Sequence, residues 1–394
     1  MREGWTYKKL GEVADISAGQ GAPQGENNYC SDGIPFIKAG NLESLINGMP
    51  EQTMQKVSDL VAKSHRLKLY KSGSVLFAKS GMSCMKGWVY TLKNDCYVVS
   101  HLAVITPHMQ KTEGRYLNYY FQFNKPNTLV KDAAYPSISL KDIENISIPV
   151  PSLSEQQSIV AELDKINELI SLKKAQLSDL DSLAQSIFYD MFGDPIVNEK
   201  GWEVKMLDSI YKVTSSKRVF QEEWKTEGIP FYKVADIVSL INDEKVIPNT
   251  FITEAKYNEL KLQSLVPNTG DILVTSRGTL GQCYIVKADD QFYFQDGMIT
   301  WLSAKKVGIS PIYIKMLFKT ESFLNSLLQK ANISTVAYLS INQLANRFIP
   351  LPPLSLQQEF AKRIELIEQQ KAQISSTIKD LETLLASRMQ YWFD

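Results

Sequence analysis

The chain is short of histidine and cysteine, with three and four in 394 residues, and it has no excess charge of either sign, since 43 basic residues balance 43 acidic ones. Each scarcity excludes something. Neutrality argues against a domain that holds a nucleic acid duplex by charge alone, because such domains are visibly basic. Cys30, Cys84, Cys96 and Cys283 stand at unrelated positions in the two halves, which speaks against a disulfide framework and for reduced thiols. Cys84 and Cys96 with His101 and His108 match no compact zinc spacing, so structural packing is the better reading and no metal site is expected. No run of about 18 apolar residues is available for a bilayer span. Met1-Arg2-Glu3-Gly4-Trp5 lacks the charged start and apolar core of a signal peptide. The expectation is a soluble, cytoplasmic protein without a membrane partner.

Catalytic motifs are missing too. A methyltransferase acting on an exocyclic base amine needs a short Asn/Asp-Pro-Pro-aromatic loop, and Leu351-Pro352-Pro353-Leu354 has the prolines without the polar and aromatic ends. No Gly-Lys-Ser/Thr phosphate loop is present, and Gly278-Thr279-Leu280-Gly281 reads as a turn flanking a strand. Asp194 followed by Glu203-Val204-Lys205 superficially spells a nuclease carboxylate set, yet Asp194 lies in a Gly-Asp-Pro helix stop with no counterpart elsewhere. A self-contained methyltransferase or nuclease is therefore disfavoured.

What the chain does have is repetition. Ile148-Pro149-Val150-Pro151 with Leu153-Ser154 and Gln156-Gln157 returns as Ile349-Pro350-Leu351-Pro352 with Leu354-Ser355 and Gln357-Gln358. Gly33-Ile34-Pro35-Phe36 returns as Gly228-Ile229-Pro230-Phe231, and Gly73-Ser74-Val75-Leu76 as Gly270-Asp271-Ile272-Leu273. A period of about half the chain means duplicated domains and not a solenoid of short units.

Each proline motif opens a heptad-patterned segment. Leu163, Ile170, Leu177, Ala184 and Met191, with Ile166, Lys173, Leu180 and Ile187, form one seam. Ile364, Lys371, Ile378, Leu385 and Trp392, with Ile367, Ile374, Leu381 and Arg388, form the other. Both are coiled-coil seams. Because the first helix delivers the chain to the second domain and the second must return, the pair is expected to be antiparallel, a rod of roughly 57 Å holding two domains apart. Lys173 and Lys371 are expected to meet in a polar layer near its middle. The first helix carries seven acids against three bases between Leu153 and Asp190, so the remainder of the chain is mildly basic.

The globular parts mix strands and helices. Ser74 to Lys79, Tyr97 to Thr106, Asp271 to Ser276 and Phe292 to Leu302 read as strands, Tyr116 to Phe123 and Tyr313 to Phe318 as helices. The fold class is α+β: two duplicated globular domains at 1–150 and 195–351, helical spacers at 151–194 and 352–394, and a pseudo-twofold arrangement.

Polar loops recur at equivalent places with different side chains, as a duplicated reader of two different DNA sequences requires, because base edges are told apart by donor and acceptor geometry. The candidate DNA-binding residues are Gln20, Lys38, Lys79, Ser80, Lys86, Tyr135 and Ser137 in the first copy. In the second they are Lys217, Arg218, Lys233, Ser276, Arg277, Thr279, Gln282, Ser334 and Tyr338. Arg218 and Arg277 suit guanine, Gln20 and Gln282 adenine.

With these motifs in this order, in duplicate and each followed by a long helix, the chain resembles the specificity subunit of type I restriction-modification enzymes over essentially its whole length. The resemblance implies a non-catalytic chain whose two target-recognition domains each read one half of a split sequence in double-stranded DNA. It implies two methyltransferase (modification) subunits docked on the helices, through the seam positions Leu163, Ile170, Leu177, Ile187, Ile364, Ile378 and Leu385, with a restriction/translocase subunit as a further partner. No cofactor belongs to this chain on that reading; S-adenosylmethionine, ATP and Mg²⁺ sit on the partners. The rival is a coiled-coil interaction protein without DNA contact, which predicts no sequence-specific footprint.

Overall fold

The computed structural model describes residues 5–242, 246–328 and 338–394. The chain divides into two compact units, Met1–Lys174 with Ser376–Asp394, and Ala175–Ser375. This division runs differently from a cut into domains and spacers, because each unit's core is closed by parts of both long helices.

In the first unit, Ala14–Ala18, Leu102–Pro107, Val75–Ala78 and Val89–Thr91 form a four-stranded antiparallel sheet in that order. Val75–Ala78 is apolar throughout and at most 5% exposed, as a strand without a solvent face must be. Phe121 of the helix Gly114–Phe123 meets Phe77 of this strand at 5.3 Å. A three-stranded sheet, Lys56–Val57, Ile34–Ile37 and Tyr97–Val98, mixes one antiparallel and one parallel pairing. The run Tyr97 to Thr106, expected as a single strand, is thus two. At the crossing, Val99 N–H donates to Ile37 O and Ser100 N–H to Gln20 O, so the chain leaves one sheet for the other within three residues. Gly19 is required there, since a Cβ on it would lie 2.2 Å from the Val99 carbonyl oxygen.

The second unit repeats the plan. Lys212–Thr214, Ile299–Ser303, Ile272–Thr275 and Cys283–Ile285 form the four-stranded sheet. Phe251–Ile252, Ile229–Tyr232 and Tyr293–Phe294 form the three-stranded one, and Phe292 to Leu302 is broken between the two sheets as in the first copy.

The duplicated proline motif has a physical basis. Ser147–Val150 pairs with Thr6–Lys9, and Phe348–Leu351 with Glu203–Met206, each as a two-stranded antiparallel ribbon. A proline has no N–H to offer a ladder but keeps its carbonyl. Tyr116 Oη donates to Pro149 O and Tyr313 Oη to Pro350 O, both at 2.9 Å. The first glutamine of each Gln-Gln pair is fully buried. Gln156 Nε2 donates to Pro151 O and Lys111 O at 3.0 Å, while its Oε1 accepts from Thr112 Oγ1 and Glu113 N. Gln357 donates to Pro352 O at 2.7 Å and accepts from Ser310 N at 2.9 Å. These bonds fix the angle at which each globular part hands over to its helix.

The helices run Leu153–Phe192 and Leu354–Phe393, 40 residues each. The heptad reading holds: Leu163, Ile166, Ile170 and Ala184 on one, and Ile364, Ile367, Ile374 and Ile378 on the other, are 8% exposed or less. Within the first unit the two run antiparallel. Glu162 accepts from Arg388 and Trp392, and Lys174 lies 3.1 Å from Glu382, so numbers rise on one helix as they fall on the other. Within the second unit, Lys371 Nζ binds Asp181 Oδ1 at 2.8 Å and Glu368 Oε1 at 3.4 Å. The polar layer expected for Lys371 is replaced here by an ion pair at the seam margin, because the four-carbon stem lets the ammonium reach acids that face solvent.

Candidate nucleic-acid interface

In both units the central strand of the four-stranded sheet runs into a clamped turn. In the first, Lys79 N–H donates to His101 O, Ile138 N–H to Lys79 O and Gly81 N–H to Pro136 O, at 2.8 to 3.0 Å. In the second, Ser276 N–H donates to Met298 O at 2.9 Å, Leu339 N–H to Ser276 O at 3.0 Å, and Arg277 bridges Tyr338. Gly81 and Gly278 carry the turn with φ of 77° and 76°, a left-handed conformation in which any side chain is strained although the space is open.

On this shared frame the first unit brings Lys79, Ser80, Tyr135 and Ser137 together. Ser80 Oγ lies 2.9 Å from His101 Nδ1, Ser137 is exposed, and Tyr135 is 82% exposed. Lys86 is exposed with its ammonium 5.8 Å from the Trp88 ring. The ammonium of Lys38 sits 4.8 Å from the Tyr29 ring and 2.6 Å from Gln55 Oε1. Gln20 is committed internally: Nε2 donates to Arg66 O at 2.7 Å and Oε1 accepts from Lys68 N.

In the second unit Lys233, Arg277 and Thr279 line one open groove of about 730 Å³. Lys233 repeats the placement of Lys38, 4.9 Å from the Trp224 ring. Lys217 and Arg218 occupy a separate loop, where Arg218 Nε donates to Asp296 Oδ2 at 3.0 Å and the Lys217 backbone is held on both sides by Tyr293 Oη. Tyr338 and Gln282 are half-buried, with the Gln282 backbone tied to Thr275. Ser334 lies outside the described residues.

Two groups of candidates are corrected. Ser276 is 1% exposed and its hydroxyl meets Thr300 Oγ1 at 2.7 Å, so it shapes the turn from inside and has no surface with which to touch a base. The helical positions chosen for partner docking face the chain's own core. Leu163 and Leu385 pack in the first unit's core and Ile187 and Ile364 in the second's. Ile170 and Ile378 are 8% exposed, and Leu177 is half-buried. A seam that holds two helices together cannot also meet a partner. The exposed apolar residues of the helices are others, with Leu172 at 58% and Leu366 at 61% exposure.

The residues of the weak metal and nuclease patterns have other partners. Asp194 Oδ1 accepts from the N–H of Ile196 and Val197, capping a turn. His108 Nε2 pairs with Asp15 while His101 pairs with Ser80. Among the described residues no group of three or more His, Cys, Asp or Glu could hold a metal. Burial pushes the Cys84 and Cys96 thiols up and that of Cys283 up to about 12, so none is a ready thiolate. Among the same residues no helix is long and apolar enough to cross a membrane.

The model of the type I restriction modification DNA specificity domain matches this chain twice, over residues 2–181 and 199–383. The chain belongs to that family. It is similar to the specificity subunit of the type I restriction enzyme EcoKI of Escherichia coli K12, 22% identical over 393 residues, covering 93% of this chain and 82% of the relative. Two solved chains share the fold. One, from work on complex assembly and conformational transition of the type I system, has a TM-score of 0.60 at 19% identity, covering 100% of this chain and 98% of the other. The second is the specificity subunit from M. genitalium, with a TM-score of 0.54 at 14% identity over 99% of this chain and 96% of that one. As a type I specificity subunit the chain is a non-catalytic component that serves DNA sequence recognition.

His101, weighed in the sequence only as a metal ligand, and Met298, not singled out there, are the residues whose carbonyls anchor the two turns. The repeat carried a signal for them, since 298 − 101 = 197 is the same offset that links Gly73 to Gly270. They were hidden because each lies inside a run that reads as one continuous strand.

Proposed function

We propose that this chain reads a bipartite target in double-stranded DNA, one half-site per unit, and that two methyltransferase subunits dock on its helices. The observation that carries the reading is the repeated clamped turn: one backbone frame presents Lys79 and Ser80 in one unit and Arg277 and Thr279 in the other. A shared frame suits shared DNA geometry, while different side chains suit different base edges. The helices act as the ruler that sets the gap between half-sites. The exposed leucines Leu172 and Leu366 offer the partners an apolar contact that the seam does not. S-adenosylmethionine, ATP and Mg²⁺ belong on the partners, with restriction/translocase subunits joining the assembly. Neutral net charge fits a reader that leaves part of the phosphate grip to the methyltransferases.

The test is methylation-sensitive sequencing of cells carrying the chain with its modification subunits. Replacing residues 202–346 by the corresponding segment of another specificity subunit is expected to change one half of the methylated motif. A change in both halves refutes the modular reading, and methylation independent of this chain refutes the function.

A further inference from the structure

Strand register makes His101 and Met298 equivalent. Ala78 faces Leu102 in the first unit's sheet and Thr275 faces Ile299 in the second's, so the residue before each partner holds the same place. The backbone agrees, because the His101 and Met298 carbonyls each accept, at 2.9 Å, the N–H that starts the clamped turn. From that place each side chain reaches the polar residue at the tip of its turn. His101 Nδ1 lies 2.9 Å from Ser80 Oγ, whereas Met298 Sδ lies 3.9 Å from Arg277 Nη1.

The chemistry of the two places is opposed. In the second unit Met298 shares its groove with Val234 and Val238, while Arg277, Thr279 and Lys233 are among its polar lining, with Ser239, Asn242 and Gln295. Arg277 is exposed and directs its guanidinium alongside this apolar patch. An arginine matches the O6 and N7 edge of guanine, and an apolar patch matches the C5 methyl of thymine. The guanidinium and the sulfur are 3.9 Å apart, so both features lie within reach of one base-pair step, roughly 3.4 Å along a strand. In the first unit the same place offers a hydroxyl and an imidazole, both hydrogen-bonding and neither apolar.

We propose that His101 and Met298 are specificity-determining residues, and that the groove between Val234, Arg277 and Met298 reads a guanine next to a thymine, with the thymine methyl seated against Met298 and the valines. The first half-site is read at the equivalent place by hydrogen bonds from Ser80 and His101, without a methyl contact. This rests on the proposed function, in which each unit reads one half-site.

The experiment uses the chain assembled with its modification subunits and a duplex carrying the motif found by methylation-sensitive sequencing, the second half-site being the half that the 202–346 exchange alters. That half is expected to contain a guanine–thymine step. Replacing its thymine by uracil, which removes only the methyl, is expected to weaken binding by about fourfold, the scale of one buried methyl group. The same replacement in the first half-site leaves binding unchanged. In Met298→Asn the uracil effect disappears and the thymine position relaxes, in Met298→Leu both stay as in the wild type, and in His101→Ala only the first half-site relaxes. Uracil scanning leaves the protein unaltered, so a folding defect cannot imitate its result. A second half-site without a guanine–thymine step, or one indifferent to uracil, overturns the inference while the bipartite reading stands. A wild-type motif that is not bipartite overturns both.

Discussion

Phe393, the last helical residue of the chain, packs its ring 5.5 Å from that of Tyr116, which precedes the first long helix. In the second unit Phe192, the end of the first helix, meets Tyr313 at 4.9 Å in the same way. Each recognition part is therefore closed by the terminus of the long helix that does not grow out of it. Phe393→Ala removes a 6% exposed ring from contacts with Tyr116, Tyr120 and Phe123, and such truncations cost about 3 to 5 kcal/mol. Hydrogen exchange is expected to quicken in the helix Gly114–Phe123 and to stay unchanged in Pro311–Lys319. Equal acceleration in both helices counts against local closure.

Gln156→Ala tests the handover from globular part to helix. It leaves Thr112 Oγ1 and the Glu113 N–H without their acceptor, and the Lys111 and Pro151 carbonyls without a donor. An abandoned buried polar group costs roughly 1 to 3 kcal/mol. Loss of about 3 kcal/mol in urea unfolding of the first unit is expected, with Gln157→Ala, an exposed neighbour, nearly silent. Similar losses for the two would show that the glutamine staple is unimportant.

The ion pair at Glu162 gives an acid limb to stability. Hydrogen bonding from Arg388, opposed by burial and helped by Trp392, holds the Glu162 carboxyl below its ordinary 4.5. A depressed carboxylate contributes fully above its unfolded value and loses that contribution as pH falls through the folded one. The wild-type advantage in melting temperature over Glu162→Gln is expected to be full at pH 6 and to shrink below about pH 4.5. Asp95 and Asp142, held low by hydrogen bonds from Lys71 and Lys131, leave a residual acid slope in the variant. A gap that stays constant down to pH 3 would remove Glu162 from this account.

Lys371→Leu is expected to change stability by no more than about 1 kcal/mol, because Asp181 and Glu368 keep 54% and 41% exposure and are not stranded as buried charges. Sedimentation is expected to show an unaltered oligomeric state, since the lysine's charge sits at the seam margin. A new oligomer in Lys371→Leu would restore the lysine to a role in register.

Legibility in the sequence followed periodicity. The helices Leu153–Phe192 and Leu354–Phe393 were readable to within a residue or two, because a 40-residue apolar seam repeats one signal many times. The runs Tyr97 to Thr106 and Phe292 to Leu302 misled, since an apolar run looks the same whether it stays in one sheet or crosses to a second. Ser276 misled for a related reason: its polarity suggests a surface, and only Thr300 on the neighbouring strand shows that the hydroxyl points inward. The seam leucines were correctly identified as contacts, but a pattern of burial does not name the surface that buries it.

By itself, the sequence determined that the chain is a duplication, that each copy ends in a long helix, and that the copies differ in their polar loops, because repeats and heptads are local statistics of the chain. Only the tertiary structure decided that Phe393 completes the core around Tyr116, that Gln156 and Gln357 fasten each helix, and that His101 and Met298 stand behind the turn tips. Those contacts join residues far apart in the chain, and their energies depend on which partner excludes water from them, a choice made only when the whole unit closes.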